Sequence, residues 1–89
     1  MLIYCVFSCD EWKSHDSMRL MFASTSVEKT VEFIKKKIID DDFAYTGLPQ
    51  DKESEANQFE SDCNEYGINH AFSCLTYGYV EIVADGEEL

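Results

Sequence analysis

The sequence predicts a single α+β domain, residues 1–89, with the element order ββααββ: a mostly antiparallel four-stranded sheet with two helices on one face. Segments rich in β-branched and aromatic residues lie near both ends of the chain. Two segments between them have apolar residues at helical spacing. A length of 89 residues suits one domain with a modest core.

The first two strands are predicted to be neighbours. Residues 2–9 have the sequence LIYCVFSC, which is apolar on both faces and therefore favours a central strand. A polar connection over residues 10–17 leads to a second strand over residues 18–23. A β-hairpin is the simplest link between strands so close in sequence.

The first helix is predicted from a single apolar stripe. Its residues recur at i, i+4, i+7 and i+11: Val27, Val31, Ile34 and Ile38. Thr25 fits the N-cap of a capping box with Glu28, and Ser26 is the competing N-cap. The helix ends at Asp40, Asp41 and Asp42, where its dipole disfavours negative charge. We expect such a local conflict at a functional surface.

A loop or short strand is predicted over residues 43–50, with Gly47 and Pro49 as breakers, before a second helix over residues 51–66. The apolar stripe of that helix is Ala56, Phe59, Cys63 and Tyr66, and Gly67 follows as a stop signal. Acidic residues flank the stripe as two rows. One row is Glu53 and Glu60, and the other is Asp51, Glu55 and Asp62.

The rest of the chain is predicted as a β-hairpin. Residues 68–75 and 79–84 have strand composition, and Gly78 lies in the turn between them. Residues 85–89 form a charged tail.

Charge is distributed very unevenly. The first 37 residues contain six basic and five acidic residues, whereas the remainder contains thirteen acidic residues and one lysine. The net charge of −11 argues against direct binding to nucleic acid or to anionic membranes, since both need clustered basic residues. A basic protein partner is the expectation.

Neither a metal, a cofactor nor an enzymatic activity is predicted. Asp40, Asp41 and Asp42 lack the ligand spacing of a calcium loop. Cys5 and Cys9 match a zinc spacing in number, but on a strand they would lie ~13 Å apart. With neither a signal peptide nor a membrane span in the sequence, the four cysteines are expected to be free thiols in the cytoplasm.

Two segments carry a resemblance to known proteins. Residues 22–34 (FASTSVEKTVEFI) resemble the strand–Ser/Thr–helix junction of many small phage and prophage proteins, and residues 79–87 (YVEIVADGE) resemble their closing strand. Small acidic α+β proteins of that group include anti-CRISPR inhibitors and other DNA mimics. The resemblance implies a counter-defence role and transfers no functional residue.

The first functional hypothesis is a non-enzymatic inhibitor that presents an acidic surface to a basic site on a nucleic-acid-binding protein. Its most concrete form is an anti-CRISPR protein that blocks a Cas effector. Carboxylates in rows would imitate the phosphates of DNA. The expected contact residues are Asp40, Asp41, Asp42, Glu53, Glu55, Glu60 and Asp62, extended by Asp85, Glu87 and Glu88, with Trp12 as an apolar anchor.

Other interpretations of these residues remain open. Trp12 could fold back over a sheet edge. The protein could also be a plain interaction module whose acidic residues serve solubility alone. A third hypothesis is a small-ligand binder, such as a homo-oligomeric sponge for a nucleotide signal. Its pocket would combine lysines with tyrosines: Lys35, Lys36, Lys37, Tyr66, Tyr77 and Tyr79.

Overall fold

The fold is α+β, with three helices and two antiparallel sheets. The computed structural model describes residues 2–10, 12–45 and 51–84. Its elements are β1 (Leu2–Ser8), β2 (Arg19–Ser24), α1 (Val27–Ile39), β3 (Ala44–Tyr45), α2 (Lys52–Tyr66), α3 (Ile68–Ser73), β4 (Leu75–Thr76) and β5 (Gly78–Ala84), and a single 3-10 turn at His15–Ser17 precedes β2.

The main sheet has three strands in the order β2-β1-β5, and both pairings are antiparallel. This confirms the central position of β1 and its hairpin with β2. A β-bulge between Val6 and Phe7 shifts the register with β2. The short strands β3 and β4 form a separate two-stranded sheet in which Tyr45 lies opposite Leu75.

The predicted single four-stranded sheet with two helices is wrong in one segment. Residues 68–73 form a third helix, α3, and β4 pairs with β3 and not with β5. The apolar residues here recur at i, i+3, i+4 and i+7, which is helical spacing: Ile68, Ala71, Phe72 and Leu75. Burial of Phe72, whose ring centroid lies 6.0 Å from that of Phe59, favours the helix over the strand that composition predicts.

The helices pack on one face of the main sheet. Tyr4 and Val6 of β1 meet Ile34 and Ile38 of α1 in the core, as the predicted stripe requires. Ser26 is the N-cap of α1 and accepts a hydrogen bond from the Lys29 N–H at 3.2 Å. The second of the two predicted N-cap residues is therefore the one observed, in place of Thr25. Within the described residues, no helix is both long and apolar enough to cross a membrane.

A single glycine separates α2 from α3. Gly67 adopts φ 97° and ψ 154°, a conformation that side-chain-bearing residues rarely reach. This turn reverses the direction of the chain and allows α3 to pack on α2. A Cβ atom built at Gly67 has no heavy atom within 4 Å, so any cost of a side chain there comes from the backbone alone.

We predict that Gly67→Ala lowers the free energy of unfolding by about 1–3 kcal/mol, because alanine must adopt the same strained backbone conformation. Urea unfolding followed by circular dichroism measures this. Ser61→Ala, on the exposed face of α2, is the matched control and should change stability by less than about 0.5 kcal/mol. Equal effects of the two substitutions would contradict the backbone explanation.

Candidate partner-binding surface

The C-terminus of α1 is closed by a Schellman motif built from aspartates. The Asp42 N–H donates to the Lys37 carbonyl at 2.9 Å, and the Asp41 N–H donates to the Ile38 carbonyl at 3.1 Å. Asp41 has φ +69°, the left-handed conformation that glycine usually supplies at this position. Because the backbone groups make the cap, all three carboxylates, including that of Asp40, remain exposed.

Two lysines partly compensate these carboxylates. Lys52 Nζ lies 2.9 Å from Asp41 Oδ1, and Lys37 Nζ lies 3.5 Å from Asp42 Oδ2. The carboxylates keep 78% and 55% of their side-chain surface exposed, so the pairs are solvent-screened and contribute little stability.

The start of α2 adds further exposed carboxylates beside this motif. Asp51 is the N-cap and accepts a hydrogen bond from the Ser54 N–H at 2.7 Å, and that hydrogen bond lowers the pKa of Asp51. Glu53 lies exposed in the first turn, where the helix dipole favours an anion. The Lys52–Asp41 pair joins the two helix termini. We call this surface the acidic end: Asp40, Asp41, Asp42, Asp51 and Glu53.

The loop that carries Trp12 leaves the main sheet at the C-terminal end of β1. Cys9, the first residue after β1, donates its N–H to the Tyr77 carbonyl at 3.0 Å. The neighbouring Gly78 lies against the ring of Phe43, the residue that follows the aspartates. Both the start of the Trp12 loop and the residue that follows the three aspartates therefore lie where β1 ends and β5 begins.

The loop that carries Trp12 is ordered by Asp10. The Asp10 carboxylate accepts hydrogen bonds from the Ser14 N–H at 3.0 Å and from the Trp12 N–H at 3.1 Å. These bonds, chiefly those from Ser14, lower the pKa of Asp10. The Trp12 side chain itself is 79% exposed, so it does not cover a sheet edge.

The other predicted acidic residues face partners within the chain. Glu55 is 12% exposed and accepts a hydrogen bond from the Tyr45 N–H at 2.6 Å. Asp62 accepts hydrogen bonds from the Tyr45 hydroxyl at 2.5 Å and from Gln58 at 2.8 Å. Glu60 pairs with Lys35 of α1 at 2.8 Å. These residues lie on the flanks that the helical spacing predicts, where they contact β3 and α1.

Beyond the first turn, the solvent-facing side of α2 is consequently mostly neutral, with Glu65 as its acidic residue. The exposed residues there are Ser54, Asn57, Gln58, Ser61 and Asn64. The two predicted carboxylate rows thus form one exposed cluster at the start of the helix, followed by acidic residues engaged inside the fold. Asp85, Glu87 and Glu88, the predicted extension of the surface, lie outside the described residues.

The lysines and tyrosines of the small-ligand hypothesis do not come together. A groove of about 840 Å³ runs beside α1, and Lys36 is the one member of the predicted lysine–tyrosine set among its lining residues. Three glutamates also line it: Glu28, Glu32 and Glu60. Lys29 lines the groove as well, so three carboxylates stand against two lysines, and this balance does not favour a phosphate-bearing ligand.

Burial affects the thiols of two cysteines, Cys63 and Cys9. Burial raises the pKa of Cys63 to about 11, so its thiol is protonated at neutral pH. Burial also raises the pKa of Cys9. In the part of the chain that the structure describes, no group of three or more His, Cys, Asp or Glu side chains could hold a metal ion.

Comparison with protein-family models, with curated proteins and with solved structures finds no significant match for this chain.

We predict that two glutamates of α2 contribute differently to stability. Glu55→Gln should lower the free energy of unfolding by about 1 kcal/mol, because the Tyr45 N–H loses a charged acceptor at a half-buried site. Glu53→Gln removes the same charge at an exposed position and should cost less than about 0.5 kcal/mol. Urea unfolding of both variants measures the difference, and equal costs would contradict the structural role of Glu55.

Tyr45 should make stability depend on alkaline pH. Burial and the hydrogen bond to Asp62 raise the pKa of Tyr45 above its ordinary value of 10.0. The folded chain therefore keeps a proton that the unfolded chain loses, so this stabilisation is complete below about pH 10 and is lost as the pH rises further.

The comparison variant is Tyr45→Phe, which lacks the titrating hydroxyl. We expect the stability advantage of the natural protein over Tyr45→Phe to be constant between about pH 7 and pH 9 and to shrink above about pH 10. Urea unfolding of both proteins at several pH values measures it. An advantage that stays constant above pH 10 would show that the hydroxyl is not protected in this way.

Proposed function

We propose that the protein is a non-enzymatic inhibitor whose acidic end occupies a basic, nucleic-acid-binding site on another protein. The observation that carries this proposal is the exposed carboxylate cluster of the acidic end, together with an exposed tryptophan in the loop after β1. Arg and Lys side chains of a partner would form charge-assisted hydrogen bonds with the carboxylates. Trp12 would contribute apolar contact area.

Two features of this cluster lower the stability of the fold, and this supports a functional reason for keeping them. Glycine at position 41 would suit the left-handed conformation better than aspartate does. Cations after α1 would suit the helix dipole better than three carboxylates do. A chain selected for stability alone would avoid both choices, whereas binding to a basic partner requires the charge.

Rigidity of the cluster is a second argument. Its carboxylates stand on two helix termini that are capped by hydrogen bonds and joined by the Lys52–Asp41 pair. A partner therefore meets carboxylates on backbone that is already ordered, which lowers the entropic cost of binding. Such a surface can compete with the regularly spaced phosphates of a nucleic acid.

An anti-CRISPR protein is the most concrete form of the proposal. A Cas effector holds its guide–target duplex in a positively charged channel, a site that a compact acidic domain could block. This target class agrees with the resemblance to small acidic phage proteins and implies action in the cytoplasm.

The test is binding to immobilised Cas effectors and to other basic nucleic-acid-binding proteins. We expect a partner that is bound at about 50 mM salt and largely released at about 500 mM, since screening weakens charge pairing. The triple substitution Asp40→Asn, Asp41→Asn and Glu53→Gln should weaken binding at least about tenfold. Asparagine tolerates the left-handed conformation at position 41, so the cap should be retained.

The matched control removes three exposed carboxylates elsewhere, in Glu28→Gln, Glu32→Gln and Glu65→Gln. This variant has the same net charge as the first and should bind within about twofold of the natural protein. Equal weakening by both variants would indicate net charge alone and overturn the assignment to the acidic end.

A further inference from the structure

The groove beside α1 has the dimensions of a small-molecule site. Its volume of about 840 Å³ lies within the range of roughly 300–1,000 Å³ that is typical of ligand pockets. Its lining residues on α1 run from Val27 to Lys36, which is a rise of roughly 14 Å along the helix axis. A partner helix could place only about two and a half turns in that length, so a small molecule fits the groove better.

The floor of the groove is apolar. Val31 and Cys63 line it and are buried, and burial raises the pKa of the Cys63 thiol to about 11, so this sulfur is uncharged at neutral pH. The rings of Phe22 and Phe33 stack with their centroids 4.6 Å apart and form an apolar wall. An apolar group that enters the groove is therefore removed from water.

The carboxylates of the groove collect on its α2 side. Lys35 of α1 reaches Glu60 of α2 at 2.8 Å, which shows which side of α1 faces α2. Glu28 and Glu32 lie seven and three residues before Lys35, so they share this side of the helix. Both are exposed, and neither forms an ion pair with a described residue. This half of the groove combines an apolar floor with two unpaired carboxylates at its rim.

The two lysines of the groove lie toward β2 instead. Lys29 is four residues before Phe33, and Lys36 is three residues after it, so all three share one side of α1. The stacking of Phe33 on Phe22 shows that this side faces β2. The lysines are thus displaced around the helix from the carboxylates on the α2 side.

Charge determines the class of ligand. The unpaired charges on the α2 side are negative, and the whole chain has a net charge of −11, so the local and the overall field both attract a cation. Residues four apart on a helix have Cβ atoms about 5–6 Å apart, so one ammonium group can contact both Glu28 and Glu32. We propose that the α2 side of this groove binds an organic cation with an apolar body, such as an alkylammonium ion.

Three probes that share an octyl chain test the class of ligand: octylammonium, octanol and octanoate, each below its micelle concentration. We expect octylammonium to bind about tenfold more tightly than octanol, and octanoate to bind more weakly than octanol, because the apolar contact is the same and the charge differs. Titration followed by two-dimensional ¹H–¹⁵N NMR measures the affinities. The amides that shift should centre on Val31, Cys63 and Ile68, which line the groove.

Several results of this titration would overturn the proposal. They are no binding of octylammonium, equal binding of the three probes, and shifts centred on the face of the main sheet that carries Leu20 and Tyr79.

The double substitution Glu28→Gln and Glu32→Gln tests the site itself. It should weaken octylammonium binding about tenfold and change octanol binding by less than about twofold, because the apolar floor is untouched. Retained octanol binding also shows that the variant is folded.

The control is the triple substitution of the acidic end, which removes three carboxylates and should change octylammonium binding by less than about twofold. Equal weakening by both variants would indicate net charge alone and overturn the site. Because the acidic-end variant is the one expected to lose the basic partner, this proposal and the proposed function can fail independently.

Discussion

Tyr45 attaches the short β3–β4 sheet to α2, and the distribution of exposed charge depends on that attachment. Its backbone N–H donates to Glu55, and its hydroxyl donates to Asp62. Its ring packs edge-on to Phe59 at 5.2 Å between centroids. Two acidic residues of α2 are therefore directed toward the fold, whereas Asp51 and Glu53 remain exposed at the start of the helix.

The arrangement separates the two surfaces of the molecule by chemistry. The acidic end concentrates carboxylates on capped helix termini, where they stay hydrated and cost little desolvation. The face of the main sheet that points away from the described helices is almost uncharged, with Glu81 as the one charged residue among those that strand register places there. Exposed charge and exposed apolar side chains are therefore divided between different parts of the fold.

Prediction from the sequence was accurate where local patterning was strong and failed where two patterns competed. The stripe of α1, the extent of α2 and the hairpin of β1 and β2 follow from apolar spacing and turn residues. The segment of α3 contains helical spacing in residues of strand composition, and packing of Phe72 on Phe59 decided between them. For the candidate site, the spacing placed Glu55 and Asp62 on the correct flank but could not show what that flank contacts.

By itself, the sequence determined the α+β class, the central position of β1, the uneven charge and the aspartates that end α1, because each follows from residue type and local spacing. Only the tertiary structure decided which carboxylates remain exposed, that Trp12 is exposed, and that the described helices leave one face of the main sheet uncovered. Those outcomes depend on contacts between residues distant in the chain, such as Tyr45 with Asp62 and Lys52 with Asp41. Local periodicity carries no information about such contacts.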